Sequence, residues 1–332
     1  MSLPAERPSP KSGPACVIVT TQDNVTADLV IPMIERRAAR VVRLDLADFP
    51  HHVRLTASGP DWAGMLSVRD HHVRLEDIRT VWWWHPQRAR LRAGAGMLPE
   101  QAEWASNEAT AGVTGVLAAL PDCLHVNHPT ATHAAQSKPD VLVQAPRCGL
   151  PVPPTWIGNQ LEGARQFARD HGDLMCKSIA SPTVLHGDSI SRFFTTPLSA
   201  DGLDTSITAC AHQLQQKVAK KFEVRLTSVG GKLFAARIDT HSVAAQSDYR
   251  ADYDALTYTS IPVPDAVRSG VSRLLAHYRL HYAAMDFLAD ADGRWSLVDL
   301  NPSGMFAWIE QALPELEITA ELAGLLAVEE AA

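Results

Sequence analysis

Cysteine is scarce and scattered in this 332-residue chain: five residues, at positions 16, 123, 148, 176 and 210, with no CxxC pair. The spacing excludes a disulfide-stapled scaffold and a thiolate zinc site, and reads as the reduced thiols of a cytoplasmic protein. Positive charge is in deficit too. Lys and Arg number 30 against 37 Asp and Glu, a formal charge of −7, which argues against a general nucleic-acid binder. No run approaches the roughly 18 apolar residues of a membrane span. The opening MSLPAERPSPKSGPA is Pro- and Ser-rich without an apolar stretch, so residues 1–15 are expected to form a disordered tail, not a signal peptide. The 14 histidines contain no HExxH, and GxSxG and Walker lysine patterns are missing as well.

What is present is an ordinary soluble composition, 46% hydrophobic and 20% charged, long enough for two or three lobes. ACVIVTT (15–21), ADLVIPMIERRA (27–38) and RVVRLDLADF (40–49) read as strand, helix and strand, the start of a small parallel α/β sheet. The turn after the first strand, TQDN, has no glycine and is not a dinucleotide fingerprint. HHVRL occurs at 51–55 and again at 71–75 and is read as edge strands, not as a metal site. RTVWWWHP (79–86) is a strand closed by proline, and residues 100–120 a helix. Lys138 opens a further helix, Asn159 with Glu162 resembles a capping box, and DLMCKSIA (173–180) is a strand with one lysine, Lys177. SPTVLHGD reads as a loop. KFEVRLTSVGGKLFAARID (221–239) is a hairpin turning at Gly230-Gly231. Strict pairing there puts Arg225 and Arg237 on opposite faces, whereas a bulge would bring them together. The segment 241–258 is polar and irregular, a loop or mobile stretch, and 265–282 an amphipathic helix.

The stretch MDFLADADGRWSLVDLNPSG (285–304) carries the chemistry. A two-residue turn at Asp292-Gly293 makes residue 291 face 294, and counting back places Asp286 opposite Asp299. Strand alternation then puts Asn301 on the face of Asp299, with Met285, Phe287, Val298 and Leu300 turned to a core. Two facing carboxylates repel. Their all-oxygen donor set suits magnesium better than zinc, and magnesium brings phosphate ligands with it. Lys177, in an apolar strand, needs a partner that a phosphate could supply, and Lys138 is a weaker candidate of the same kind. Without a ligand these residues would be solvated acids, a surface lysine, and cross-strand pairs such as Arg225 or Arg237 with Glu223 or Asp239.

In this order the features resemble the ATP-grasp superfamily, and most closely the microviridin-type peptide maturases, the graspetide synthetases. The matching stretches are VWWWHP, VNHP, LPVPPT, CKS, LQQKVAKKFEVRLTSVGGKLFAARID and MDFLADADGRWSLVDLNPSGMFAWIE. The resemblance implies an ATP-grasp fold of α/β and α+β lobes: an N-terminal pre-ATP-grasp domain at 16–125, a central subdomain at 126–211 and a C-terminal subdomain at 212–332. It implies Asp286, Asp299 and Asn301 as Mg2+ ligands and Lys138 and Lys177 on the ATP phosphates. Gln215, Gln216, Lys217 and Val218 would form the adenine-reading hinge, and Arg225 would steady the transferring phosphate. Arg237, Asp248 and Arg250 would handle the acceptor peptide. The chain departs from the family pattern at Trp84-His85, where an arginine pair is common, and at Gln216 and Asp299, where glutamate is usual. The implied activity is ATP-dependent activation of Asp or Glu side chains in a ribosomal precursor peptide, leader plus acidic core, with linkage to Ser/Thr hydroxyls or Lys amines. A homodimer is implied by the same route. The alternatives are a ligase that adds free amino acids to a carboxylate and a non-catalytic ATP-grasp binding protein.

Overall fold

The computed structural model describes residues 13–37, 39–91, 97–180, 183–186 and 189–327. Positions 1–12 of the expected tail lie outside the described residues. In chain order the elements are β1 (Ala15–Val19), α1 (Val25–Glu35), β2 (Arg40–Leu44), β3 (Val53–Ser58), β4 (Ala63–Val68), β5 (His71–Arg74), β6 (Ile78–Trp83), α2 (Pro99–Ala118), β7 (Leu124–Val126), α3 (Pro129–Ala135) and α4 (Lys138–Arg147). They continue with β8 (Thr155–Gly158), α5 (Leu161–His171), β9 (Leu174–Lys177), β10 (Thr183–His186), β11 (Ser189–Arg192), β12 (Thr196–Leu198), β13 (His212–Gln216), β14 (Phe222–Val229) and β15 (Lys232–Thr240). The last are α6 (Val243–Ser247), β16 (Leu256–Ser260), α7 (Asp265–Tyr278), β17 (Tyr282–Ala289), β18 (Trp295–Asn301), α8 (Ala307–Ala312) and α9 (Ile318–Leu326).

Two compact units result. Of the described residues, the first takes those up to Thr132, Arg279–Tyr282 and those from Glu317 to Ala327; the second takes those within His133–Tyr278 and Ala283–Leu316. In the first, a parallel sheet in the order β2-β1-β6-β7 has ACVIV buried along its whole length. A continuous apolar run of that kind fits a strand covered on both faces. Trp82 and Trp84 are fully buried, so the aromatic run is core rather than the rim of a site. Both HHVRL copies fall in edge strands, β3 and β5, of the small sheet β3-β4-β5. Asn127, 2% exposed, fastens the returning segment of this unit: its amide donates to Tyr282 O at 2.7 Å, and its Oδ1 accepts from the N–H groups of His281 and Tyr282 at 2.8 and 3.0 Å.

The second unit holds a sheet in the order β12-β9-β13-β8 and a larger one in the order β16-β15-β14-β17-β18. Three local expectations are corrected. Gln160, not Asn159, is the N-cap of α5, with no side-chain cap bond. The part of SPTVLHGD inside the described residues is not loop, since β10 pairs antiparallel with β11. The segment 241–258 is not irregular: it contains α6, two short 310 turns and the start of β16, which pairs with β15 to give the sheet an edge. A local hydrophobic pattern was absent there because the burial partners, such as Trp308, come from far along the chain.

The acidic hairpin pairs Asp286 with Asp299, by a different route from the one expected. Its connection has three residues, not two: Asp290 N–H donates to Arg294 O at 3.0 Å, and Gly293 takes the positive φ (+78°) that a tight turn demands. That slip of one residue is undone by a bulge, since Phe287 faces Leu297 while Asp286 faces Asp299, leaving Val298 as the extra residue. Val298 is therefore only half-buried rather than a core residue. The hairpin β14–β15 is regular, with Val224 opposite Arg237 and Arg225 opposite Ala236, so Arg225 and Arg237 lie on opposite faces.

Asn127→Ala removes three hydrogen bonds to the backbone at once. It is expected to destabilise the protein by about 3 kcal/mol, measured by urea unfolding; a loss under about 1 kcal/mol would mean that water replaces the amide.

Candidate active site

A cavity of about 880 Å3 in the second unit gathers residues from seven strands, a helix start and the 241–258 segment. Lys138 and Lys177 line it with Glu223, Asp286, Asp299 and Asn301. Lys177 lies at the end of β9, and its ammonium is enclosed. Nζ donates to Gln215 Oε1 at 2.9 Å and to Val298 O at 3.3 Å, the carbonyl of the bulged residue. Burial, reinforced by Lys138 and against the pull of Asp299 and Asp286, lowers its pKa to about 8. An ammonium has three donors, and the third remains for an anion in the cavity. Lys138, at the first turn of α4, is held to Ser178 O at 2.8 Å.

Gln215 is fixed at both ends of its amide, since Nε2 donates to Thr155 Oγ1 at 2.9 Å while Oε1 takes Lys177. Gln216 Nε2 reaches His171 O at 3.3 Å. Lys217 and Val218 follow along the cavity wall, with Lys217 N–H bound to Asp173 O. The four hinge candidates thus form one continuous edge of the cavity.

Asp286 Oδ1 accepts from Arg225 Nη1 at 3.0 Å and from the Tyr249 hydroxyl at 3.4 Å. Arg225, 6% exposed, also donates from Nη2 to Met305 O at 2.9 Å. It sits behind Asp286 and is not itself part of the cavity lining. Among the described residues none donates a hydrogen bond to the Asp299 carboxylate or to Asp286 Oδ2. Asn301 Oδ1 caps the following turn by accepting from Ser303 N–H at 3.0 Å. No group of three His, Cys, Asp or Glu among the described residues could hold a metal alone. Magnesium takes one or two carboxylates and completes its shell from phosphate and water. The free carboxylate oxygens of Asp286 and Asp299, with Asn301, fit this hard-oxygen role.

The three acceptor candidates separate. Arg237 is not brought to the cluster: on the far face it pairs bidentately with Asp239 at 2.6 and 2.7 Å and stacks on Phe222 at 4.4 Å. Asp248 is buried and saturated, accepting from Thr195 N–H at 2.9 Å, from Arg250 N–H at 3.1 Å and twice from the Arg250 guanidinium at 2.7 and 2.8 Å. Burial would raise its pKa, but these donors prevail and hold it at about 2. Arg250, with 39% of its side chain exposed, lines the cavity as a charge fixed in direction by Asp248.

Two residues of this site escaped the sequence reading as site residues. Glu223, 7% exposed, lies in the cavity wall and pairs with Lys220 at 2.6 Å; burial raises its pKa against that pairing. The signal was there, because Glu223 and Arg225 are two apart on one strand and share a face. Tyr249 had no such signal, since its contact with Asp286 spans 37 positions.

The family model described as the MvdD pre-ATP grasp domain matches residues 15–133. The chain has an ATP-grasp fold with a pre-ATP-grasp domain of the MvdD type at its N-terminal end. Among solved structures it is similar to the Chryseobacterium gregarium RiPP-associated ATP-grasp ligase in complex with ADP and a leader and core peptide, at 25% identity and a TM-score of 0.84 over 95% of this chain and 96% of that one. It is also similar to the macrocyclase MdnC bound with precursor peptide MdnA from Microcystis aeruginosa, at 25% identity and a TM-score of 0.79 over 94% and 98%. The ATP-grasp ligase PsnB complexed with minimal precursor, Mg and ADP shares the fold at 21% identity and a TM-score of 0.73, over 94% and 96%. No curated protein matches the chain. Among the described residues no helix is long and apolar enough to cross a membrane.

Gly304, just after β18, lets Arg225 approach: a Cβ there would lie 2.6 Å from Ala284 Cβ and 2.8 Å from Arg225 Nη2. Gly304→Ala is expected to cost about 1–3 kcal/mol of stability in urea unfolding; parental stability would show that the turn yields.

Proposed function

We propose that this protein is an ATP-dependent ligase that matures a ribosomal precursor peptide, activating Asp or Glu side chains and joining them to Ser/Thr hydroxyls or Lys amines. The observation that carries this reading is a single cavity joining a hinge edge, two lysines and a facing pair of carboxylates. It occurs in a fold that two peptide-bound ligases share over nearly their whole length.

In this reading Lys138 and Lys177 hold the nucleotide phosphates, and the edge from Gln215 to Val218 reads the base. Asp286, Asp299 and Asn301 hold magnesium, which when bound neutralises charge on the phosphates. Arg225 fixes Asp286 and adds positive charge beneath it. The peptide carboxylate attacks the γ-phosphorus, ADP leaves, and an acyl phosphate forms. A hydroxyl or amine of the same peptide attacks the acyl carbon; the C–O bond to phosphate breaks with its electron pair, and the nucleophile loses its proton. Each link removes one water from the peptide and converts one ATP to ADP and phosphate. Arg250, aimed by Asp248, is placed to meet the acidic acceptor, while Arg237 on the far face is assigned no contact with the reacting groups. A homodimer and a cytoplasmic location belong to the proposal and rest on the family resemblance and the cysteine pattern alone.

Incubation of acidic, Ser/Thr/Lys-containing peptides with the protein, ATP and magnesium is expected to give water-loss products by mass spectrometry, and Asp299→Ala to give none. A gain of amino-acid mass instead would move the activity to ligation of free amino acids.

Anion binding favours the Lys177 ammonium, whose pKa in the free protein is about 8. The bound state raises that pKa, so ADP affinity is full below pH 8 and falls as pH rises through it. Calorimetry near pH 8 in buffers of different ionisation enthalpy is expected to show proton uptake, absent in Lys177→Met; no uptake in the parent would remove Lys177 from the phosphates.

A further inference from the structure

The segment 241–258 lines the cavity with several residues and reaches the Asp286 carboxylate by a hydrogen bond from one side chain. Tyr249 is 5% exposed, its ring stacked on Trp308 with centroids 5.8 Å apart and edge-on to Tyr253 at 6.5 Å. A buried phenol needs a hydrogen-bond partner, and among the described residues Asp286 Oδ1 is its acceptor, at 3.4 Å. The contact is longer than the usual O–H···O distance, as is common at sites without their ligands. Asp286 Oδ1 is thereby shared between Arg225, from the sheet, and Tyr249, from the segment. Asp286 lines the cavity, and its Oδ2 accepts no hydrogen bond from the described residues. The neighbouring Asp248 ties the same segment to Thr195 N–H.

We propose that Tyr249 is a positioning residue that orients the Asp286 carboxylate, so that the cation site is complete only when the 241–258 segment is seated. The inference rests on the reading of Asp286 as a cation ligand. It assigns to that segment a task apart from contact with the peptide, because the phenol's hydrogen bond goes to the Asp286 carboxylate. Outer hydrogen bonds of this kind typically change metal affinity by about 10–100-fold.

The test uses the full chain and ADP as probe. Tyr249→Phe keeps the ring and its stack on Trp308 and removes only the hydroxyl. Calorimetric ADP affinity at saturating magnesium and in EDTA gives the two ends of the titration, and the magnesium concentration at half-saturation gives the cation affinity. Tyr249→Phe is expected to raise that concentration about tenfold or more, with ADP affinity in EDTA and amide exchange across 241–258 as in the parent. Asp248→Asn, which loosens the segment and keeps the phenol, is expected to raise it too, with faster exchange in 241–258. Parental magnesium dependence in Tyr249→Phe overturns the proposal. A parent protein whose ADP binding ignores magnesium overturns the cation-site reading itself, and this inference with it.

Discussion

Two carboxylates, Asp286 and Asp299, face each other across neighbouring antiparallel strands, and the second unit is arranged around making that repulsion tolerable. Like charges directly opposite on a sheet are destabilising. Here each is answered from a different direction. Arg225, from β14, and Tyr249, from the segment before β16, take Oδ1 of Asp286, and the enclosed ammonium of Lys177 attracts Asp299. The compensation is incomplete, because Asp286 Oδ2 and the Asp299 carboxylate accept no hydrogen bond from the described residues. Incomplete compensation is what a cation site requires, since a fully satisfied pair would have no affinity left to give.

The Val298 bulge joins the two halves of this electrostatic problem. By adding one residue to β18 it keeps Asp299 opposite Asp286 despite the three-residue turn, and it turns a carbonyl to the Lys177 ammonium. Bulges re-aim side chains beside functional sites; this one aligns an acid and supplies an acceptor to a lysine at once. Lys177 is thus held by one neutral amide and one carbonyl, partners that position it without neutralising it. A buried ammonium so held has its pKa drawn down to about 8 and keeps a strong preference for an incoming anion.

Much of this was legible in the chain. The alternation of MDFLADADGRWSLVDLN marks a hairpin, its acids share a face by strand geometry, and their opposition follows from a count that held at the acids and missed at the turn. The strand with one lysine, the hairpin through Gly230-Gly231 and the helix starting at Lys138 are local patterns, set by side-chain period and turn chemistry. Asp248 and Arg250 were legible as charged neighbours but not as a clasp, because the third partner, Thr195 N–H, lies 53 positions away. The segment around them looked irregular for the same reason: its burial comes from Trp308, which no window of sequence contains.

The sequence by itself determined which residues are acids, lysines and strand formers, and thereby the donor chemistry and the order of the elements. Tertiary structure decided the rest: that Arg225 stands behind Asp286 while Arg237 turns to the far face with Asp239, and that Asp248 is filled by Arg250 and Thr195. It also decided that a tyrosine from the 241–258 segment meets the Asp286 carboxylate. The physical reason is range. Period and turn chemistry act over a few residues and can be counted along the chain, whereas desolvation and charge pairing depend on which distant groups share a cavity, and only the folded chain brings those together.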